Sequence, residues 1–472
     1  MKYYDAAVIG GGVLGCFAAR SLRRWQLSTV LLEAEGDVCT GITRANSAIV
    51  YSGCDHKPGS LKAEMTVRAN GGFDRLCEEL EVPFVRCGSL MAAFGPAGEK
   101  VLQKKLQQGM DNGVPGMRIL SRAEALEMEP MLSPEIVSAL HAPSTGVVNP
   151  WQLGIAAYEN ALHNGCEAML NTRVQAIRRD NGGYILETDG EAIRCRAVLN
   201  CAGMQADKIQ ELCFEPSVRI FTDASDFFIL DKRSAMPEHI LFHEAEEKGK
   251  GATVVPTVEG SLLIESPARD MAGRPRATTA AGLAGLEAAV RALLPEIDLG
   301  KVIRSFAGVR PNPHRVVLRD GVYVPDGKSI GSFAIGHPGA GFWSLIGVKT
   351  PGLSCAEELG MHLARKVADD LDAEENPSFN PKRRAPVRVR GLDFEERRRL
   401  VSENPDYAEL VCRCEGITKG EIIDTIRRGA SDPDGVKRRV GAGLGRCQGG
   451  RCRIEIEKIL EESEGHDRSL RA

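Results

Sequence analysis

The first part of the chain alternates between short apolar runs and polar or glycine-rich turns. An apolar run at residues 6–9 predicts a buried parallel strand, and the stretch after it predicts a helix. A second apolar run ends at Glu33 and predicts another strand. The order strand, turn, helix, strand predicts the opening of an α/β domain.

The pattern changes twice farther along. Strand-like runs that alternate apolar and polar residues occur in DFFILDK, ATVVPTVEGSLLIES and GVYVPDG, and they predict an antiparallel sheet. After residue 371, prolines and charged residues replace the periodic pattern and predict a linker. Its basic run, RRAPVRVRGLDFEERRRL, is typical of a solvated linker, although a membrane or a partner protein is an alternative for it.

Composition narrows the class of protein. The chain has 472 residues, of which 43% are hydrophobic and 26% charged, which is enough for two or three globular domains. Its net charge of -4 argues against a nucleic-acid-binding protein. The apolar runs are shorter than the roughly 20 residues of a membrane span, and no signal sequence precedes the first strand. We therefore expect a cytoplasmic protein whose 14 cysteines are mostly free thiols.

The first turn has the spacing of a dinucleotide-binding site. Gly10, Gly12 and Gly15 form G-x-G-x-x-G between the predicted strand and helix. Glu33 follows at the end of the second strand, where its carboxylate can accept both ribose hydroxyls. A glycine-rich turn of another α/β protein is the alternative, but the strand, helix, strand and acid together favour dinucleotide binding.

The stretch after Glu33 differs from a simple NAD domain, because a polar loop replaces the next strand and helix. The loop matches T-G-x-T/S-x-x-N-S/H-x-x-x-H-x-G at Thr40, Gly41, Arg44, Asn46, Ser47, Ser52 and Gly53. With the PGSLKA segment at 58–63, it resembles the FAD-dependent glycerol-3-phosphate, 2-hydroxyglutarate and D-amino-acid oxidase superfamily. Tyr51 stands where relatives often carry a histidine, so we expect FAD that dissociates rather than a covalent flavin.

The resemblance extends to about residue 370 and implies further cofactor contacts. It implies that Val174 contacts adenine through its backbone, and that Ala202 and Gly203 form a return turn at the cofactor. The closing segment at 351–354 is expected to open a long helix directed at flavin N1 and C2=O. The cofactor residues implied there are Gly352, Leu353 and Ser354.

The fold that follows is a Rossmann-type α/β FAD-binding domain with an inserted antiparallel β-sheet substrate domain (α+β), plus a small helical C-terminal iron-sulfur module. The FAD-dependent oxidoreductase region is expected at 1–371 and the linker at 372–404, with the module at 405–472. The FAD-binding parts are placed at about 1–85, 146–215 and 331–371. The substrate domain is placed at about 86–145 and 216–330.

Two basic residues are the predicted substrate ligands. Arg310 in GVRP matches an arginine that binds phosphate or carboxylate in relatives, and Lys349 in GVKTPG matches the lysine of the glycerol-phosphate enzymes' GGKL. Together they would form an anion clamp, whereas surface ion pairing is the alternative for each. His56 and His337 are candidates for the base that takes the hydroxyl proton, and neither is assigned.

Four cysteines near the C-terminus have ligand spacing. They form C-x-C and C-x4-C pairs at Cys412, Cys414, Cys447 and Cys452. Four thiolates can hold zinc or a [2Fe–2S] cluster. The flanking VCRCEGITKGEI and GRCQGGRC resemble the bacterioferritin-associated-ferredoxin-like module, which implies the cluster, with zinc and no metal as alternatives. Nearby Arg413, Arg446 and Arg451 are expected to raise its potential.

These features predict an FAD and [2Fe–2S] dehydrogenase that oxidises a small anionic alcohol. The first candidate substrate is sn-glycerol 3-phosphate, whose oxidation would give dihydroxyacetone phosphate. The alternatives are L-2-hydroxyglutarate, an amino acid of the hydroxyproline type, or a non-catalytic electron-transfer flavoprotein subunit. We expect a second flavoprotein subunit or an electron carrier as partner, an oligomer, and at most peripheral contact with a membrane.

Overall fold

The computed structural model describes residues 1–244, 251–270 and 277–471. Two short segments of the predicted substrate domain, 245–250 and 271–276, lie outside the described residues. The chain divides into two compact units, Met1–Lys382 and Arg383–Ala472. In the described part of the chain, every helix is too short or too polar to span a bilayer.

The α-helices of the described residues lie in both compact units. They are α1 Val13–Leu22, α2 Leu61–Leu80, α3 Pro96–Asp111, α4 Arg122–Met128, α5 Pro150–His163, α6 Ala206–Glu211, α7 Ala280–Leu293, α8 Ala356–Asp370, α9 Phe394–Glu403, α10 Lys419–Arg427, α11 Pro433–Val440 and α12 Arg453–Arg471.

The strands up to the end of the nucleotide-binding motifs are β1 Lys2–Ile9, β2 Thr29–Leu32, β3 Ile49–Val50, β4 Phe84–Val85, β5 Ser89–Ala93, β6 Arg118–Ser121, β7 Ser138–Ala142, β8 Gly146–Val148, β9 Glu167–Met169, β10 Val174–Asp180, β11 Gly183–Thr188 and β12 Ile193–Asn200. The remaining strands are β13 Val218–Leu230, β14 Ile240–His243, β15 Thr253–Pro256, β16 Leu262–Glu265, β17 Arg269–Asp270, β18 Val302–Arg319, β19 Val322–Pro325, β20 Ala334–Gly339, β21 Phe342–Ile346, β22 Leu410–Cys412 and β23 Ile417–Thr418.

An eight-stranded sheet forms the centre of the nucleotide-binding part. Its main order is β10-β11-β12-β1-β2-β9, and β21 pairs with β12. β1 runs parallel to both β2 and β12, as the buried apolar runs predict. Helices α1, α2, α5 and α8 contribute to the apolar core on one side of this sheet. The carboxyl ends of β1 and β2 therefore meet at one edge, where an α/β sheet binds its ligand.

A ten-stranded sheet forms the predicted substrate domain. Its main order is β19-β18-β13-β16-β15-β14-β5-β7-β6. The expected antiparallel pairing holds except between β5 and β14, which run parallel. These two strands come from the two separate stretches of the domain, so no tight hairpin forces them to be antiparallel. The expected fold class is confirmed.

The two faces of this sheet differ. Apolar residues of α4 and α7 pack against one face and form a closed core. The other face packs against Ile49 and Val147 of the nucleotide-binding part. Alternation along β13 separates the two sets, because Phe227 belongs to the second face and its neighbour Phe228 to the first. The second face is therefore the one that meets the predicted flavin loop.

Residues 374–382, at the start of the predicted linker, belong to the first compact unit and pack against α1 and α5. The backbone N–H of Asn376 donates to the carbonyl oxygen of Arg24 (2.7 Å), and the amide of Asn160 on α5 donates to the carbonyl oxygen of Asn380 (3.1 Å). The fully buried Arg20 donates to the carbonyl oxygen of Pro381 (3.2 Å). We call residues 374–382 the strap.

The C-terminal unit is small and mostly helical. β22 and β23 form a hairpin, and α10, α11 and α12 surround an apolar core. α10 and α11 lie between the two cysteine pairs in the sequence. Cys412 and Cys452 belong to the core of this unit, together with isoleucine and valine residues of the three helices. Two of the predicted ligands are therefore also core residues.

Candidate active site and cysteine cluster

The turn between β1 and α1 allows a ligand to approach the backbone closely. Gly10 has a φ of +105°, and a Cβ there would lie 2.6 Å from the carbonyl oxygen of Cys201. A Cβ at Gly15 would lie 1.8 Å from the carbonyl oxygen of Gly10. Gly12, the N-cap of α1, has no side-chain cap, and the first helical turn has no acidic residue. The unsatisfied N–H groups and the helix dipole therefore favour an anion such as a pyrophosphate.

Glu33 lies directly after β2, beside this turn. Its carboxylate accepts hydrogen bonds from the backbone N–H groups of Gly11 (2.5 Å) and Glu35 (2.9 Å). Burial raises the pKa of Glu33, although these backbone bonds favour the charged form. The backbone N–H of Thr172 donates to the carbonyl oxygen of Glu33 (2.8 Å), just before β10 begins at Val174. The predicted ribose and adenine contacts thus lie at the same end of the sheet.

The predicted flavin loop is held by its own polar side chains. The hydroxyl of Thr43 accepts from the N–H of Val13 (3.0 Å), which joins the loop to α1. The amide of Asn46 donates to the carbonyl oxygen of Thr43 (3.0 Å) and accepts from the N–H of Ala48 (2.8 Å). Asn46, a predicted cofactor residue, therefore also shapes the loop. The remaining predicted cofactor residues here are exposed or half-buried, namely Gly41, Arg44 and Ser47.

The return turn after β12 reaches the same glycine turn. The N–H of Cys201 donates to the carbonyl oxygen of Ile9 (2.9 Å), and Asn200 accepts from the N–H of Ala202 (3.3 Å). Gly203 follows with a φ of +56°. Ala202 and Gly203 are therefore adjacent to the end of β1, where the resemblance predicts cofactor contacts.

Ser354 joins the closing segment to the flavin loop. Its hydroxyl accepts from the N–H of Tyr51 (3.0 Å) and donates to the carbonyl oxygen of Ile49 (3.3 Å). Ser354 is almost fully buried. The contact fixes β3 and the end of the loop against the residues that precede α8.

The prediction that residues 351–354 open the closing helix is wrong. These residues form a turn, and α8 begins after it at Ala356. The N–H of Gly352 donates to the carbonyl oxygen of Lys349 (2.6 Å), so the chain turns tightly before it becomes helical. A Cβ at Gly352 would lie 2.9 Å from that oxygen. Leu353 packs against the apolar core that includes α1.

Every second residue of β18 between 306 and 312 lies on the sheet face that meets the flavin loop. Phe306 stacks on Phe227 of β13, with ring centroids 4.6 Å apart. A Cβ at Gly308 would lie 2.9 Å from the carbonyl oxygen of Ala45. The absence of a side chain at Gly308 therefore lets β18 approach the flavin loop closely.

Arg310 and Asn312 follow on the same face. The Nε of Arg310 donates to Asp223 Oδ1 (2.8 Å), and the two residues are directly opposite each other on β18 and β13. The ammonium of Lys349 donates to Asn312 Oδ1. The two predicted substrate ligands are thus brought to one row of β18, Arg310 directly and Lys349 through Asn312.

The two candidate bases lie in different places. His56 follows the flavin loop, and its carbonyl oxygen accepts from the amide of Asn112 (2.8 Å). His337 is exposed and stacks on Trp343, whose indole N–H donates to Asp370 (2.9 Å). Asp370 is the last residue of α8, about 20 Å along the helix from its first turn. His337 therefore lies at the wrong end of the closing helix to serve as the base.

The four predicted cluster ligands form two pairs. The sulfur atoms of Cys414 and Cys447 are 3.6 Å apart, and both residues are at least partly exposed. Cys412 and Cys452 are buried, and burial followed by the neighbouring Cys412 raises the pKa of Cys452 to about 12. Two thiolates on one tetrahedral metal at about 2.3 Å lie roughly 3.8 Å apart. The spacing of the exposed pair is therefore suited to two ligands of one metal ion.

The surrounding loop fits a cluster better than one ion. The N–H of Gly443 approaches the sulfur of Cys412 (3.4 Å), and a Cβ at Gly445 would lie 2.4 Å from the Cβ of Cys414. Among the described residues, no set of three or more His, Cys, Asp and Glu is gathered closely enough for a single metal ion. Two thiolate pairs are the ligand set of two irons, so the residues present fit a [2Fe–2S] cluster.

Two residues of the site were missed in the sequence. Asn312 could have been found, because a residue two positions from Arg310 on a strand shares its face. Asp223 could not, because its place opposite Arg310 depends on the register between two strands that are far apart in sequence.

Comparisons with known proteins agree with this geometry. The model of the family "FAD dependent oxidoreductase" matches residues 5–366, and that of the "BFD-like [2Fe-2S] binding domain" matches residues 410–462. A glycerol 3-phosphate dehydrogenase of Caloramator mitchellensis is 38% identical over 98% of this chain and 95% of its own length. The human mitochondrial L-2-hydroxyglutarate dehydrogenase is 31% identical over 48% of this chain and 52% of its own length.

Solved structures show the same fold. The FAD-bound L-α-glycerophosphate oxidase of Mycoplasma pneumoniae has a TM-score of 0.74 and 24% identity, covering 82% of this chain and all of that one. The glycerol-3-phosphate dehydrogenase of Bacillus halodurans, complexed with FAD, has a TM-score of 0.63 and 18% identity and covers 98% of this chain and 89% of its own.

Proposed function

Because this chain belongs to the FAD dependent oxidoreductase family and carries a BFD-like [2Fe-2S] binding domain, we propose that it oxidises sn-glycerol 3-phosphate to dihydroxyacetone phosphate. The electrons would then pass through the C-terminal module to a second flavoprotein subunit or an electron carrier. The glycerol 3-phosphate dehydrogenase that is similar along nearly the whole chain supports this substrate.

The observation that carries the proposal is the meeting of two cations, Arg310 of β18 and Lys349, at one row of β18. Among the described residues, Asp223 binds Arg310 through its Nε, which leaves the terminal guanidinium nitrogens to an anion. Lys349 adds a second positive charge, which Asn312 orients on the same row. A doubly charged phosphate group suits two cations that meet at one point, whereas each of the two separate carboxylates of L-2-hydroxyglutarate suits one cation.

The chain's own residues would hold FAD along the edge of the first sheet. The glycine turn and α1 would bind the pyrophosphate, Glu33 the ribose, and the loop at 40–47 the flavin. Bound FAD would supply a hydride acceptor for the substrate C–H bond. β18 would place the substrate anion over the loop, since Gly308 brings that strand close to Ala45.

L-2-Hydroxyglutarate remains the second candidate. Partial similarity to several L-2-hydroxyglutarate dehydrogenases, which covers about half of the human enzyme, favours it over an amino acid. An intact Arg310 and Lys349 argue against a non-catalytic electron-transfer subunit, since an electron conduit has no use for an anion clamp.

A substrate panel tests the proposal. Anaerobic enzyme is mixed with sn-glycerol 3-phosphate, L-2-hydroxyglutarate or hydroxyproline, and bleaching of the flavin absorbance is followed by stopped flow. We expect fast bleaching with glycerol 3-phosphate alone, and a large loss of that rate in Arg310→Leu. Fast bleaching by L-2-hydroxyglutarate instead would replace the proposed substrate, and no bleaching by any of the three would remove the enzyme class.

The metal content of the protein tests the proposed electron transfer through the C-terminal module. Anaerobically purified protein should contain near two irons and two acid-labile sulfides per chain, held by the two cysteine pairs. A full-length Cys414→Ser/Cys447→Ser variant should still show flavin bleaching by substrate but slower reoxidation by a dye acceptor. Zinc without iron would make the module structural and leave the flavin chemistry unaffected.

A further inference from the structure

The two cysteine pairs differ in their access to solvent. Cys412 and Cys452 are 1% and 2% exposed and lie in the apolar core of the C-terminal unit. Cys414 is exposed and Cys447 is partly exposed. Among the residues that the structure describes, the side of Cys414 and Cys447 is the one through which a partner protein can approach the cluster site.

The surface around the accessible pair is concave and has an apolar part. A cavity of about 360 Å³ opens there, and all four cysteines line it, so it is the space that the cluster would occupy. Leu410, Val411, Arg413 and Arg451 also line it. Leu410 at the start of β22 is 50% exposed, and Val411 beside it is half-buried. We call Leu410, Val411, Arg413, Cys414, Cys447 and Arg451 the exit surface. An apolar centre with arginines at its rim is typical of a protein-protein interface.

The charges at the exit surface favour a partner of opposite sign. Arg413 and Arg451 are exposed, and neither is engaged in an ion pair with an acidic side chain among the residues that the structure describes. Two carboxylates also line the cavity. Glu409 lies 3.7 Å from the ammonium of Lys419, and Glu455 lies 3.2 Å from that of Lys458.

Lys458 offsets Glu455, whereas Lys419 is shared between Glu409 and Asp406, which lies 3.8 Å from it. Arg413 and Arg451 have no acidic partner among the residues that the structure describes. A cluster held by four thiolates would add negative charge behind Arg413 and Arg451. Because these two arginines are exposed at the rim, an approaching partner meets their positive charge first.

We propose that the exit surface is the docking site of a one-electron-carrier protein with an acidic docking face. The proposal rests on the proposed function only in that the cluster site is the electron outlet. In each encounter the carrier gains one electron and the dehydrogenase loses one, with no proton or group transferred. Electron-transfer complexes are small and transient, and attraction between opposite charges speeds their formation.

Two carriers of opposite charge test the proposal on the full-length holoenzyme. The enzyme is reduced photochemically without substrate and mixed with either the acidic soluble domain of cytochrome b5 or the basic cytochrome c. We expect faster reduction of cytochrome b5 at low ionic strength, and a rate that falls as salt is added. The Arg413→Glu/Arg451→Glu variant should be about tenfold slower with cytochrome b5 at low salt and should lose this salt dependence.

The matched control is Arg398→Glu/Arg427→Glu, which makes the same change in net charge at exposed positions outside the cavity lining. It should behave like the unaltered enzyme. Equal rates for both double variants, or a preference of the unaltered enzyme for cytochrome c, would overturn the proposal. Arg413→Gln and Arg451→Gln single variants decide the question if the double variant loses iron.

A spectroscopic measurement separates docking from turnover. The paramagnetic anion hexacyanochromate(III) should relax the signal of the reduced cluster in electron paramagnetic resonance more strongly than the cation hexaamminechromium(III). The charge-reversed variant should invert this order, whereas the control should not. An order that is the same in all three proteins would place the accessible side of the cluster elsewhere. Substrate bleaching of the flavin is measured separately, so a wrong substrate would leave these results unaffected.

Discussion

Each face of the ten-stranded sheet carries an aspartate of β13 that is paired with an arginine of a neighbouring strand. The two pairs differ in burial and in the number of hydrogen bonds that join them. On the face covered by α7, Asp226 is fully buried and binds Arg269 through both carboxylate oxygens, at 2.8 Å each. On the face toward the flavin loop, Asp223 is 29% exposed and binds only the Nε of Arg310.

The difference separates a structural pair from a ligand-binding pair. Arg269 also donates to the carbonyl oxygen of Ala277 (2.8 Å), so its guanidinium is largely satisfied within the protein. Arg310 has one side held by Asp223 and its terminal nitrogens left for another anion. β13 therefore supplies an aspartate to each face. One pairs with Arg269 of β17 for stability, and the other pairs with Arg310 of β18, in our proposal, for substrate binding.

The largest effect on stability is expected when the buried Asp226–Arg269 pair is broken. Asp226→Ala should lower the free energy of unfolding by about 3–5 kcal/mol, because it leaves a partly buried guanidinium without its partner. Asp223→Ala should cost less than about 1 kcal/mol, since its pair is partly exposed. Denaturant midpoints of the two holoproteins, followed by far-UV circular dichroism, measure the difference. Equal midpoints would mean that the two faces do not differ in this way.

The next largest effect, on kcat/KM, is expected when the ligand-binding cation Arg310 is removed. Arg310→Leu should lower kcat/KM for sn-glycerol 3-phosphate roughly 30- to 1,000-fold. This corresponds to about 2–4 kcal/mol of transition-state stabilisation, lost with a charge-assisted contact. The visible spectrum should show that FAD remains bound. Normal kinetics in this variant would move the anion site away from β18.

A smaller effect separates phosphate from carboxylate substrates. Lys349→Ala should cost a phosphate substrate about 1.5–3 kcal/mol in kcat/KM, the range for a hydrogen bond to a charged group. A carboxylate substrate should lose less, because the guanidinium alone can bind it. The exposed Lys328→Ala is the matched control and should be unchanged. Equal losses for both substrates would remove the main reason for choosing a phosphate.

The smallest effect tests whether Asp223 positions Arg310. Asp223→Asn keeps an oxygen that can accept from the Arg310 Nε but removes the negative charge. We expect KM to rise by about fivefold, for a loss of about 1 kcal/mol, with little change in kcat. If KM falls instead, Asp223 acts by opposing the substrate charge, and its positioning role is wrong. Steady-state kinetics at saturating acceptor decide between the two.

The sequence predicted the nucleotide end of the site better than the substrate end. Gly10, Gly15 and Glu33 could be assigned because each requirement, a tight turn or an acid after a strand, is local in sequence. Asp223 depends on strand register, and the position of His337 depends on how β20 and β21 fold back along α8. The four cysteines are equivalent in the sequence pattern, and their division into a buried and an exposed pair depends on the packing of α10 to α12.

The strap also defines where the flavoprotein unit can be joined to other domains. A joint made at Leu371, at the end of α8, would remove the partners of Asn160 and uncover Arg20 at the base of α1. A joint after Lys382 would leave these contacts intact, since the first compact unit ends there. An exchange of the cysteine module for a different electron-transfer domain should therefore succeed at residue 382 and fail at residue 371.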